Sequence, residues 1–281
     1  MTQNKRRQKF TKKFFLLNFI EELFRSSPYG YGISRYLAGR YFFKYLGEAD
    51  FEFFKFISKN DNDYLFLDIG ANDGISALTF RIYNQNYRII SFEPDTKHNK
   101  SLERVKKKIK KFEYFNVGLG DQEEKKVLYI PESNGVYIGQ LASFLKSEAV
   151  NNVPKIISKK NIIDNIRIIE KFIEVRTLDS YNFKPEIIKV DVEGFEDKVL
   201  EGAKNTISSY KPFLMIEVNE TSFLRVSSLL NVLNYEMFVY DKKIKKISKF
   251  KINDQLNDYV INLICVHIDR KKEIINLILN D

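Results

Sequence analysis

The apolar positions of this chain change their period near residue 60. Before it, Phe14, Leu17, Phe24, Phe42, Phe43, Leu46, Phe53, Phe54 and Ile57 recur at close to helical spacing, the mark of helices that bury one face. Ser26-Ser27-Pro28, followed by Tyr29-Gly30-Tyr31-Gly32, divides that region in two. From Tyr64 onward, short apolar runs alternate with amphipathic stretches. Strands are predicted at Tyr64–Ile69, Tyr87–Phe92 and Phe112–Val117, with helices over Asp73–Tyr83 and Thr96–Lys110 between them. Such alternation implies a parallel sheet with right-handed crossovers. Val127–Ile130 reads as a hairpin strand, Pro131–Gly139 as a turn region centred on Asn134-Gly135, and residues 140–166 as a polar, irregular insertion. A strand at Phe172–Leu178 follows. Ile187–Val192 and Phe213–Val218 are nearly continuous apolar runs, as strands covered on both faces require. Helices over Glu196–Ser208 and Ser222–Leu233 succeed them. Tyr235–Tyr240 and Tyr259–Ile268 then close the sheet, joined by a Lys-rich solvated loop at Asp241–Asp258. The expected architecture is α/β: a doubly wound sheet, mostly parallel with an antiparallel C-terminal strand, behind a helical N-terminal cap. The cap with its basic tail covers residues 1–60. The α/β domain covers 61–281 and carries an insertion at about 135–170.

Composition narrows the partners more than the fold. The 281 residues carry a net charge of +9. Six of those charges (Lys5, Arg6, Arg7, Lys9, Lys12 and Lys13) lie in an acid-free tail, leaving only about +3 for the rest. A nucleic-acid enzyme would show a basic face on its body as well, so no nucleic-acid partner is expected. Cys265 is the single cysteine, which excludes an internal disulfide and a thiolate metal site. The apolar run Phe14–Ile20 is too short to span a bilayer and is closed by Glu21-Glu22. A cytoplasmic protein is expected, with membrane association at most peripheral, through an amphipathic helix from about Lys9 to Phe24.

Candidate chemistry collects at predicted strand ends. In Phe66-Leu67-Asp68-Ile69-Gly70-Ala71-Asn72-Asp73-Gly74 a buried strand delivers an acid and a glycine turn to the start of a helix. The Gly-x-x-x-Gly spacing differs from the Gly-x-Gly-x-x-Gly of dinucleotide binders. Asp68 would repel a phosphate and suits a ligand bearing an amino group. The second strand ends Ser91-Phe92-Glu93-Pro94, with Glu93 placed 23 positions after Gly70; an acid there can accept hydrogen bonds from ribose hydroxyls. The third ends Asn116-Val117-Gly118, where Asn116 or the adjoining backbone can pair with an exocyclic amine. In Ile187-Ile188-Lys189-Val190-Asp191-Val192-Glu193 a buried strand emerges with two carboxylates in alternation, and the next strand ends Ile216-Glu217-Val218-Asn219. Asp191, Glu193, Glu217 and Asn219 are therefore expected around one crevice at the C-terminal sheet edge. Crowded carboxylates raise one another's pKa and mark a candidate general base.

These segments resemble the FkbM family of S-adenosylmethionine-dependent methyltransferases over roughly Tyr64 to Tyr240. The carriers are the FLDIGANDG segment, the FEP at Phe92–Pro94 and, most specifically, the IIKVDVEGFEDKVLEGA stretch from Ile187 to Ala203. The resemblance implies a class I methyltransferase Rossmann-like fold, and O-methylation of hydroxyls on sugars, polysaccharide units or polyketides. It also implies binding of S-adenosyl-L-methionine at Asp68, Gly70, Ala71, Asn72, Glu93 and Asn116. A small-molecule or glycan acceptor would then be chosen by residues 1–60 and the insertion, which fall outside the resemblance. Asp191 or Glu193 is the expected base, with Lys189 as an electrostatic helper. His98 is the other candidate base, unless it is a plain surface residue, and His267 is expected to pack in place. A metal-free site is favoured over one in which Asp191, Glu217 and Asn219 hold Mg2+. Two competing functions are a catalytically silent glycan-binding or scaffold protein and an NAD-dependent sugar oxidoreductase. The glycine spacing and the lack of a Tyr-x-x-x-Lys pair count against the last.

Overall fold

The structure is a computed structural model that describes residues 49–57, 64–133, 136–151, 153, 166–250 and 261–279. The basic tail, most of the expected N-terminal cap, the Asn134-Gly135 turn and much of the 140–166 insertion lie outside them.

Five parallel strands form the centre: β1 (Leu65–Ile69), β2 (Arg88–Phe92), β3 (Phe112–Phe115), β8 (Ile187–Val190) and β9 (Phe213–Val218). β12 (Ile261–His267) pairs antiparallel with β9. β10 (Tyr235–Asp241) pairs antiparallel with β12, and β11 (Lys246–Lys249) with β10. The order across this sheet is β11-β10-β12-β9-β8-β1-β2-β3. It is the expected mostly parallel, doubly wound sheet. Chain order reverses between β1 and β8, so the ligand crevice of such a sheet opens at their C-terminal ends.

Both faces are covered, as the apolar runs require. Leu65, Leu67 and Ile69 of β1 enter one core with α4 (Glu196–Glu201), α5 (Lys204–Tyr210) and α6 (Glu220–Val232). Phe66 enters the other with α1 (Ile75–Tyr83) and α2 (Asn99–Lys108). Phe51, Phe53 and Phe54, on a 3-10 turn at Ala49–Lys55, join that second core; Phe54 packs edge-on to Phe80 at 5.6 Å. This end of the expected cap thus packs directly on the α/β core. The helix expected over Glu196–Ser208 is broken into α4 and α5, because Asp179 accepts the N–H groups of Asn205 and Thr206 and caps a fresh helix there.

The segment between β3 and β8 builds a second sheet that the sequence pattern did not reveal. β5 (Glu124–Ser133) pairs antiparallel with β7 (Ile166–Arg176) through ten residue pairs. β4 (Gly118–Leu119) and β6 (Val136–Tyr137) flank them in the order β4-β7-β5-β6. The predicted four-residue hairpin strand at Val127–Ile130 is thus the middle of a ten-residue one, whose ends are masked in sequence by Glu124, Lys125 and Glu132. The short helix α3 (Lys146–Asn151) follows a 3-10 turn at Gly139–Leu141. Part of the loop expected at Asp241–Asp258 is the edge strand β11; residues 251–258 lie outside the described ones. Among the described residues no helix is long and apolar enough to cross a membrane.

Candidate functional site

A cavity of about 250 Å3 opens at the C-terminal ends of β1, β2, β8 and β9, with the second sheet across it. Its wall includes Gly70, Asn72, Glu93, Pro94, Val117, Gly118, Phe144, Asp191, Glu193 and Glu217.

The turn after β1 is dictated first by its neighbours. Asp191 donates its N–H to the Ile69 carbonyl at 3.1 Å. A Cβ on Gly70, where φ is +83°, would lie 1.7 Å from the Asp191 carbonyl oxygen. The glycine expected for close approach of a ligand is thus required by the end of β8. Asp68 and Ala71 lie beneath the cavity wall rather than on it, Asp68 with no exposed surface. The register sets Asp68 level with Ser91 on one side and Lys189 on the other. Ser76 and Ser91 donate to Asp68 Oδ2 at 2.7 and 3.0 Å, while Oδ1 is buried without a hydrogen-bond partner. Burial pushes this carboxyl up, against the pull of the Lys189 charge and the two hydroxyls.

Glu93 is held by the backbone. Its Oε2 accepts the Asn72 N–H at 2.8 Å and its Oε1 the Asp95 N–H at 2.8 Å. Asn72 sits at φ +49° to make that contact, and its side chain accepts the Asp73 N–H. Burial pushes Glu93 up to about 6 against the nearby His98 charge and these N–H groups. Asn116 is exposed and does not line the cavity. Its amide donates to the Glu93 carbonyl at 3.1 Å and to Asn99 at 2.7 Å. It braces the Glu93 backbone, and the wall near it is the apolar Val117-Gly118-Leu119.

Acids gather at the opposite end. Asp191, Glu193 and Glu217 each place a carboxylate oxygen within 4.8 Å of the others, a donor set that could hold a cation. The convergence does not arise from strand alternation as expected. β8 ends at Val190, and left-handed turns at Glu193 (φ +53°) and Gly194 (φ +95°) redirect the chain. Asn219, expected in the group, instead accepts the Ser222 N–H at 2.9 Å at the start of α6 and is not part of the cavity wall. Lys189 is 2% exposed and donates to Asp191 Oδ2 at 2.8 Å, so it is a buried ion-pair partner and not a lysine reaching for solvent. Glu196 caps this turn by accepting the N–H groups of Gly194 and Val192. Burial pushes it up to about 7.

His98 is not a surface residue. Its Nδ1 lies 2.9 Å from Asp73 Oδ1, and the ring is buried behind Gly139. Burial opposes its charge, but the Asp73 hydrogen bond and the charges of Glu93, Asp73 and Asp95 outweigh that and raise its pKa. His267 is buried at the end of β12, where it accepts the Asp269 N–H. Sequence reasoning missed Asp95, Tyr137, Ser143 and Lys171. Asp95 takes the Tyr137 hydroxyl and, at 2.7 Å, the Lys171 ammonium, partners 42 and 76 positions away. Nothing in local pattern connects them before β5, β6 and β7 are paired.

The profile of the methyltransferase FkbM domain matches residues 68–237. No curated protein matches the chain. Among solved structures, an FkbM methyltransferase from Methylobacillus flagellatus KT is 18% identical with a TM-score of 0.47, covering 74% of this chain and 44% of its own. The chain thus spans less than half the length of that protein. The plantazolicin methyltransferase BpumL, solved with SAH, is 10% identical with a TM-score of 0.42, covering 92% and 98%. A precorrin-6y C5,15-methyltransferase from Geobacter metallireducens GS-15 is 9% identical with a TM-score of 0.40, covering 78% and 86%. Likenesses at these scores carry no argument of their own. The domain match does, since it takes in the end of β1 with its glycine turn, Glu93, the small sheet and the Asp191–Glu217 acids together: the chain belongs to the FkbM family of methyltransferases.

Proposed function

We propose that this chain transfers a methyl group from S-adenosylmethionine to a hydroxyl of a sugar or polysaccharide unit. The observation that carries the reading is Glu93: a buried carboxylate at the cavity wall, aimed by two backbone N–H groups. Each of its oxygens accepts one of these N–H groups, and an ionised carboxylate has acceptor sites for about four. Capacity therefore remains for a pair of ribose hydroxyls. The other wall residues fit the same ligand. Val117, Leu119 and Phe144 offer apolar surface to a flat base, while Asp68, buried beneath the wall, holds the turn from below through Ser76 and Ser91.

The cofactor supplies a methyl group already activated on a sulfonium. The chain's part is then alignment and removal of one proton. Asp191 and Glu193 reach the cavity beside Glu217, and every one of these groups accepts hydrogen bonds, which suits a hydroxyl-bearing acceptor. Asp191 is the proposed base. Lys189, against its Oδ2, fixes the carboxylate's orientation and leaves Oδ1 for the acceptor.

Calorimetry with S-adenosylhomocysteine tests the reading without knowledge of the acceptor. The wild-type chain should bind it, and Glu93→Ala should bind it at least about tenfold more weakly, the cost of about one charge-assisted hydrogen bond. A folded wild-type chain that fails to bind would sink the proposal and favour a silent glycan-binding protein.

A further inference from the structure

The Glu93-Pro94-Asp95 segment faces two structures at once. The Asp95 N–H donates to Glu93 Oε1 at 2.8 Å. Its carboxylate, with no exposed surface, takes its distant partners from the second sheet: the Lys171 ammonium on β7 at 2.7 Å and the Tyr137 hydroxyl on β6. Its other partners are local: the Lys97 N–H at 3.1 Å, and the His98 ring, whose Nε2 lies 3.9 Å from Oδ2. The Lys97 ammonium in turn lies 3.3 Å from the centre of the Tyr137 ring. A buried carboxylate held by a cation, a phenol and a backbone N–H has one favourable arrangement, because each partner offsets its desolvation.

The second sheet and the turn beyond it also form cavity wall, through Leu128, Gly139, Ser143 and Phe144. A further tie joins this wall to the acid end. Ser143 Oγ donates to the Glu193 carbonyl at 2.7 Å and accepts the Leu145 N–H at 3.0 Å. The sheet is therefore fastened beside Glu93 at one end and at Glu193 at the other. Lys171 and Tyr137 do not line the cavity.

We propose that Asp95 is a positioning residue that couples the seating of the second sheet to the orientation of Glu93, so that the sheet acts as a roof whose docking and nucleoside binding are linked. The proposal rests on Glu93 binding the cofactor's ribose as argued above. A change at Lys171 or Tyr137 reaches the ligand only through Asp95 and the roof, and the linkage must run both ways.

The test is S-adenosylhomocysteine affinity of the full chain for Lys171→Met, Tyr137→Phe and the double variant, with amide hydrogen exchange of β5 and β7 with and without ligand. Each single variant should weaken binding by about fivefold or more, the lower end for coupled sites. The double variant should lose less than the product of the singles, since both act through one carboxylate. Lys171→Arg should restore affinity, which a packing role would not predict. The ligand should slow exchange in β5 and β7 of the wild type but not of Lys171→Met. Singles that bind within about twofold of the wild type, a double equal to the product, or ligand protection confined to β1 and β2 would each overturn the coupling. A wild-type chain that binds no S-adenosylhomocysteine would overturn the cofactor reading, and the coupling with it.

Discussion

Replacing Gly70 with alanine should be among the most damaging single-methyl changes in the chain, and the structure indicates by how much. The added Cβ would sit 1.7 Å from the Asp191 carbonyl oxygen and 2.8 Å from its carbon. Backbone cannot rotate away as a side-chain tip can, so the start of β1's turn and the end of β8 must separate by more than an ångström. The hydrogen bond from the Asp191 N–H to the Ile69 carbonyl, 3.1 Å long, lies directly in that gap; opening it leaves buried groups unpaired at about 1–3 kcal/mol. Holding alanine at φ +83° costs about 1–3 kcal/mol more. The sum, about 2–6 kcal/mol, is a large share of the roughly 5–15 kcal/mol that holds a domain together. Urea unfolding followed by circular dichroism measures it, and Gly74→Ala is the control. Gly74 has a similar φ of +77°, but its obstacles are the tips of Val105 and Leu102 at 2.7 and 3.2 Å, which can shift, so its loss should stay near the strain cost alone. A Gly70→Ala variant no less stable than Gly74→Ala would refute the reasoning, because it would show that the strand ends separate freely.

Two other perturbations follow from buried charges. Lys189→Met should cost about 3 kcal/mol in urea unfolding at neutral pH, the lower end for stripping a partner from a buried pair, because the Asp191 side chain keeps 21% exposure; adding Asp191→Asn should recover part of that loss, and additive losses would show that the pair is not coupled. Glu196, which burial pushes up to about 7 from the ordinary glutamate value of 4.5, binds its proton more tightly in the folded chain than in the unfolded one. Its contribution to stability is therefore intact below about pH 4.5 and is lost as pH rises towards 7, by about 3 kcal/mol in all. Glu196→Gln should flatten unfolding free energy against pH in that window, and an unchanged slope would remove Glu196 as its source.

The sheet was legible because parallel strands buried on both faces must be written as apolar runs, and β1, β2, β8 and β9 fall where those runs do. Polar residues that interrupt such runs were legible too, though not their partners. Lys189 was read against Asp191, two positions on, whereas the register also sets it level with Asp68. Asp68 and Lys189 each stand one residue before the end of β1 and β8, but the apolar run carried the second strand on to Val192, which hid the match until the strand end at Val190 was known. What stayed hidden is the roof. β5 and β7 expose one face, so charged residues such as Lys125, Glu170 and Glu174 break their apolar pattern. The contacts that attach the roof to the cavity run through side chains from distant segments, Ser143 at the acid end and Lys171 and Tyr137 at the other, and the partner of these last two, Asp95, looks in sequence like a turn residue after proline. Local pattern reports burial, and it reported the main sheet well. Pairing between distant chain segments is what turns Asp95 from a turn residue into the point where two sheets meet over the cavity.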